Sequence, residues 1–177
     1  KELGDLIDLS GFEPEVTEDE FKPEEVEELS FVNSGDVWQL GRHRLMCGDS
    51  TSEADVKRLM GDEKMDLIIT DPPYNVAYED KQKKMDAFRT NSNGSMKIQN
   101  DSMKQDQFYM FLLKAFGNME ACMRDGAAIY VFHADIEGLT FRKAYQDAGL
   151  KLAEVLIGEK NNFVIGKNDY HWRHEPI

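Results

Sequence analysis

Cysteine and long apolar runs are scarce in this chain, and basic residues are outnumbered by acidic ones. Only Cys47 and Cys122 are present among the 177 residues, well separated and without metal-ligand spacing. Free, buried thiols in a reducing cytoplasm are expected from that usage. No apolar run approaches membrane length, and no segment resembles a signal peptide. There is no internal repeat, no low-complexity tract and no Gly-x-Gly pair. Lys and Arg number 21 against 34 Asp and Glu, for a net charge of −13. A uniformly basic nucleic-acid-binding surface is excluded.

The charge is unevenly placed. Residues 1–34 hold twelve Asp/Glu and two Lys, a net −10, which leaves −3 for 35–177. The acidic head reads as a solvated linker. A near-neutral remainder can still meet a polyanion if its basic groups share one face. Lys81, Lys83, Lys84, Arg89 and Lys97 form the basic stretch nearest the most informative motif. They read either as a nucleic-acid contact or as an ordinary polar surface loop.

That motif is Asp71-Pro72-Pro73-Tyr74. It follows Met65-Asp66-Leu67-Ile68-Ile69-Thr70, an apolar run predicted to be a buried parallel strand. The first proline fixes its own φ and the second restricts the residue before it, so the turn is stiff. It presents a carboxylate, a backbone carbonyl and an aromatic ring where α/β sheets bind ligands. These groups suit methylation of an exocyclic amine on a base, a poor nucleophile because its lone pair is conjugated with the ring. Two acceptors on its protons, the Asp71 carboxylate and the Pro72 carbonyl, would draw the nitrogen toward tetrahedral geometry. Tyr74 would stack on the base once flipped from the duplex. The plainer reading is a proline-rich turn with a capping Asp and a packed Tyr.

Around the motif the chain resembles the adenine-N6 and cytosine-N4 DNA methyltransferases that use S-adenosyl-L-methionine. The resemblance runs from Gly35 to Ile177. It rests on Gly35 to Asp49, Asp71 to Tyr74, Ile98-Gln99-Asn100-Asp101, Ile129 to Asp135, and Asp169 to Ile177. It is similar to the phage and prophage branch, where the target-amine motif precedes the cofactor glycine motif. Members of that branch often carry an upstream nuclease-like domain, whose tail Leu3 to Phe12 resembles. The resemblance implies a Rossmann-like α/β fold, here a partial, doubly wound, mostly parallel sheet. It implies Asp71, Pro72, Pro73 and Tyr74 as catalytic residues, with Asp49 and Asp71 holding the cofactor. Its Phe-x-Gly-x-Gly loop for the methionine end of the cofactor lies beyond the His-Glu-Pro segment. The expectation is an internal piece of a longer protein: residues 1–34 a linker or domain tail, 35–177 the first part of a catalytic domain. Alone, such a piece is expected to bind the cofactor weakly or not at all.

The elements alternate. Val37 to Leu40 and Arg44 to Cys47 flank Gly41, predicting a hairpin. Ser52 and Asp55 predict a helix start running to Met60. Residues 75–99 lack periodicity and read as a long, mobile loop. Phe108, Phe111, Leu112, Ala115, Phe116 and Met119 recur at helical spacing and read as core, with Gly126 closing that helix. Ala127 to Phe132 reads as a strand and Leu139 to Ala148 as a helix stopped by Gly149. Leu152 to Ile157 reads as a third strand, with Asn161 to Ile165 its partner. Strand and helix in alternation predict a doubly wound α/β sheet.

Several residues carry two readings. Asp49 is a cofactor contact by resemblance, or a cap for the helix after Ser52. His133 and Asp135 end a strand on the ligand edge, where a structural hydrogen bond is the readier role for the His. His171, His174 and Glu175 mimic a metal site but lack a third well-spaced ligand, so no metal is expected. Asn100-Asp101 reads as the start of the next helix. The expected function is methylation of double-stranded DNA, as in restriction-modification, with adenine N6 the target and cytosine N4 the alternative. Adenine enzymes of the family typically open the motif with Asp. A non-catalytic DNA-binding remnant is the reading from another class. Protein-glutamine methylating enzymes carry Asn-Pro-Pro-Tyr, and Asp71 argues against them. A bacterial or phage-encoded cytoplasmic protein is expected, with no membrane partner and with a homo-oligomer left open.

Overall fold

Gly41 sits at φ +61°, first of the two residues between β1 (Val37–Leu40) and β2 (His43–Met46). Two-residue hairpins with glycine first need that positive φ. The pairing is antiparallel, Leu40 opposite His43 and Val37 opposite Met46, as the sequence predicts. The structure, a computed structural model, describes residues 31–76, 99–164 and 171–177. The chain divides into two units, Lys1–Asn33 and Ser34–Ile177, and the elements among the described residues lie in the second.

Helix α1 (Glu53–Met60) starts where the sequence places it. The Ser52 side chain accepts from Asp55 N–H, and Gly61 at φ +60° donates its N–H to Lys57 O. Strand β3 (Met65–Thr70) then pairs in parallel with β4 (Met123–Val131), the two joined through α2 (Gln105–Cys122) as a βαβ unit. Phe132 N–H extends the ladder to Thr70 O at 3.0 Å. Strand β3 is not buried on both faces as its composition suggests. Ile68 is buried, whereas Leu67 and Ile69 are 49% and 67% exposed. Successive side chains point to opposite faces, and no described element covers the second one.

The core belongs to the helices. Phe108, Leu112 and Phe116 of α2 cluster with Phe141 and Ala144 of α3 (Gly138–Asp147). The predicted stripe is therefore core, and each aromatic or leucine contributes about 1.5–3 kcal/mol by leaving water. Gly126 does not close α2. The helix stops at Cys122, and Gly126 lies within β4 at φ +79°. There the register slips, Met65 facing Met123 but Leu67 facing Ala128. A glycine absorbs such a bulge without Cβ strain.

Two further strand expectations are corrected. Residues 151–156 form no strand. Instead β5 runs Ile157–Val164 and pairs antiparallel with β6 (Trp172–Pro176), so Asn161 to Val164 extend the strand rather than pair with it. The apolar pattern of Leu152 to Ile157 marks a strand only if a ladder partner is present, and Leu156 is the first residue to find one, in Ile177. The α/β class and one parallel pair are present. A continuous, mostly parallel sheet is not formed among the described residues: there are three two-stranded sheets, two of them antiparallel. Their nearest join is His133 N–H, which donates to Pro176 O at 3.3 Å and ties the end of β6 to the end of β4. No helix among the described residues is long and apolar enough to cross a membrane. Cys122 is buried and free, but Cys47, just past the end of β2, is exposed.

Candidate active site

Asp71 follows directly on β3, exposed at its carboxyl end, while Pro72, Pro73 and Tyr74 are half-buried. What holds this loop is a pair of crossed hydrogen bonds to the approach to α2. Met103 N–H donates to Asn75 Oδ1 at 2.6 Å, and Val76 N–H donates to Asp101 Oδ1 at 3.2 Å. Asn75 and Asn100 both take positive φ, 58° and 63°, a region that Asn tolerates better than most residues. Asp101 is buried. It does not cap the helix, which begins at Gln105 behind Lys104; it braces the Asp71 loop.

Tyr74 packs its ring edge-on against Phe141, centroids 6.4 Å apart, and so joins the loop to the helical core. Its hydroxyl feels the negative charge of the Asp71 and Glu175 carboxylates. Burial first, and those two carboxylates second, push the phenol far above its ordinary pKa. Tyr74 therefore remains a hydrogen-bond donor throughout the pH range of a folded protein. Glu175 arrives from β6, where it pairs with Gly158 and lies 3.3 Å from Lys160 Nζ. The sequence named Glu175 only beside two histidines. Nothing local marks its meeting with Tyr74, which depends on how β6 docks on β4. His171 and His174 are exposed, His174 lying against Trp172, and no metal-holding cluster occurs among the described residues.

His133 occupies the carboxyl end of β4. It is buried, stacked on Phe141 at 5.2 Å, with Nδ1 3.2 Å from Val131 O. A carbonyl only accepts, so the proton is assigned to Nδ1 and Nε2 is a bare acceptor. Nε2 has no hydrogen-bond partner. Burial holds the imidazole below its ordinary pKa of 6.5, outweighing the Val131 carbonyl, which acts the other way. Above that ordinary value both folded and unfolded chains hold a neutral ring. As pH falls below about 6.5 the unfolded chain takes up a proton that the folded chain refuses, so stability drops until the lower folded pKa is passed. His133→Phe is expected to remove this part of the acid sensitivity. Urea midpoints at pH 7.5 and 5.5 check it, and equal losses in variant and wild type would contradict the assignment.

Asp49 is held within its own loop. Its Oδ1 accepts from Thr51 N–H and Thr51 Oγ1, each at 2.8 Å, and its N–H donates to Asp55 Oδ2. The next residue, Ser50, gives its carbonyl to Asn118 Nδ2 near the far end of α2. Gln105, the first residue of α2, lies with Glu137 and Thr140 at the Asp71 end. At a rise of about 1.5 Å per residue, these two points on α2 stand roughly 20 Å apart. A shallow cleft between α1 and the end of α2, lined by Lys57, Met60, Asn118 and Cys122 among others, lies at that far end too. Lys81, Lys83, Lys84, Arg89 and Lys97 lie outside the described residues, as do residues 77–98 of the predicted loop.

A carboxylate loop that closes a parallel strand and is braced by a buried acid lies on the edge where α/β sheets bind ligands. The chain belongs to the N6/N4 methyltransferase family described as DNA methylase, whose model matches residues 65–177, more than half of its length. The match opens on Met65, the first residue of β3, and runs through β6. No curated protein and no solved structure matches the chain. Family membership makes this a DNA amino-methyltransferase sequence, a group that generally uses S-adenosyl-L-methionine.

Proposed function

We propose that the chain carries the amine-activating part of an S-adenosyl-L-methionine-dependent methyltransferase acting on adenine N6 in double-stranded DNA. The observation that carries this is the exposed Asp71 carboxylate at the end of β3, on a loop pinned by Asn75 and Asp101. Asp71 and the Pro72 carbonyl accept hydrogen bonds from the two amine N–H groups, and the nitrogen lone pair is thereby freed from the ring. The cofactor supplies an electrophilic methyl group on a sulfonium. Asp71 also suits the cofactor's cationic character, and the Asp49 role rests on the family resemblance alone. Neither proline carries an N–H, so the loop offers no donor there to compete for the amine lone pair. Tyr74 stands beside the carboxylate as the aromatic surface for a base taken out of the stack, a step that such chemistry on duplex DNA requires. Lys81, Lys83, Lys84, Arg89 and Lys97 would meet the phosphates. The Rossmann-like sheet of the resemblance is the frame in which β3 and β4 would sit at the centre.

The test is incubation of the full-length protein with methyl-labelled cofactor and duplex DNA, followed by nucleoside analysis. N6-methyladenine is the expected product. N4-methylcytosine would keep the chemistry and move the target, and label in neither nucleoside would favour a DNA-binding remnant.

A further inference from the structure

The Asp71 loop is stiff within and held at both ends. Each proline ring fixes its own φ, and the second keeps Pro72 out of the helical region, so the backbone from Asp71 to Tyr74 moves as one piece. At the near end, Phe132 N–H donates to Thr70 O at 3.0 Å and holds the close of β3 on β4. At the far end two side chains each accept from the other segment's backbone. Asn75 Oδ1 takes Met103 N–H at 2.6 Å, and Asp101 Oδ1 takes Val76 N–H at 3.2 Å. Met103 packs its own side chain on the helical core, and Asp101 is 5% exposed, so both partners are fixed from behind. Both segments turn at an asparagine in the left-handed region, Asn75 at φ 58° and Asn100 at φ 63°. Because the loop does not bend within, a slip at Asn75 or Val76 is carried through to Asp71.

We infer that Asn75 and Asp101 are positioning residues of the methyl-transfer site: their reciprocal clamp fixes where the stiff loop sets the Asp71 carboxylate and the Pro72 carbonyl for the substrate amine. The inference rests on the function proposed above. Neither side chain touches base or cofactor in this scheme; each acts through the backbone of the loop. Two acceptors must meet the two N–H groups of one amine, and a hydrogen bond weakens steeply as its angle closes. A small displacement of the loop therefore spoils both bonds together. The rate of transfer depends on the clamp. DNA binding, which is spread over many phosphate contacts, does not.

The test is single-turnover methylation by the full-length protein, with enzyme in excess over duplex DNA and cofactor saturating. Under those conditions the limiting rate constant is that of the folded molecules alone. Asp101→Ala removes the acceptor of Val76 N–H and should lower that constant between about tenfold and a hundredfold, since misplacing a reacting group by about 1 Å costs up to the latter. The enzyme concentration for half-maximal rate, which reports DNA binding, should stay within about twofold, the mark of a contribution realised in the transition state. Asp101→Asn keeps an acceptor oxygen and should recover most of the loss. Asn75→Gly keeps the positive φ and removes the other acceptor. It should repeat the alanine result at a half-buried position, and it carries the test if Asp101→Ala does not fold. A merely structural clamp would lower the urea midpoint and leave the limiting rate constant unchanged; that outcome overturns the inference. So does an Asn variant no faster than the Ala variant, or a loss confined to DNA binding. A wild-type protein with no methyl transfer at all overturns the functional reading and this inference together.

Discussion

Asp71→Ala is expected to lower methyl transfer a hundredfold or more while leaving the fold in place. The magnitude follows from removing one hydrogen-bond partner that acts in the transition state, which typically costs on that order in rate. The fold should survive because Asp71 is exposed and the loop keeps its anchors at Asn75 and Val76. The measurement is single-turnover methylation at saturating cofactor, paired with a circular dichroism spectrum of the variant. Turnover within threefold of wild type would remove Asp71 from the chemistry. A collapsed spectrum would mean that the carboxylate is structural.

Phe141→Ala is the largest expected loss of stability. The ring meets Phe108 at 5.6 Å, Phe116 at 6.4 Å, His133 at 5.2 Å and Tyr74 at 6.4 Å. It is 2% exposed, so truncation opens a cavity that α2 and α3 cannot easily close. Phe-to-Ala changes at such sites cost about 3–5 kcal/mol. Native domains hold only about 5–15 kcal/mol in all. Urea unfolding should therefore show a midpoint displaced toward zero denaturant with an unchanged slope. Phe141→Leu restores most of the volume and should recover much of the loss. A cost below about 1 kcal/mol for the alanine variant would show that the ring is not central.

Local chemistry made several elements legible beforehand. Gly41 announces the hairpin, Ser52 announces α1, and the spacing of Phe108, Leu112 and Phe116 announces a helix with one buried side. The strand before Asp71 was legible because two prolines must follow something extended. What stayed hidden depends on partners distant in the chain. Leu152 to Leu156 look like strand until the ladder is seen to begin at Leu156. Gly126 looks like a helix stop because a bulge in β4 asks for the same positive φ. Asp101 reads as a cap, and only the fold shows it accepting from Val76. Glu175 could not be linked to Tyr74 at all without the β6–β4 junction. Asp49, which reads either as a cofactor contact or as a cap, is held locally by Thr51.

The crossed bonds of Asn75 with Met103 and of Val76 with Asp101 have a modular consequence. They close the two ends of the 77–98 segment onto each other at the foot of α2, whatever path the chain takes in between. The Asp71 loop is then insulated from the length and composition of that segment. Lengthening a loop whose ends are already clamped is cheap, about 0.6 kcal/mol for each doubling. Exchanging the segment for one of another length or composition is therefore expected to leave the Asp71 loop in place.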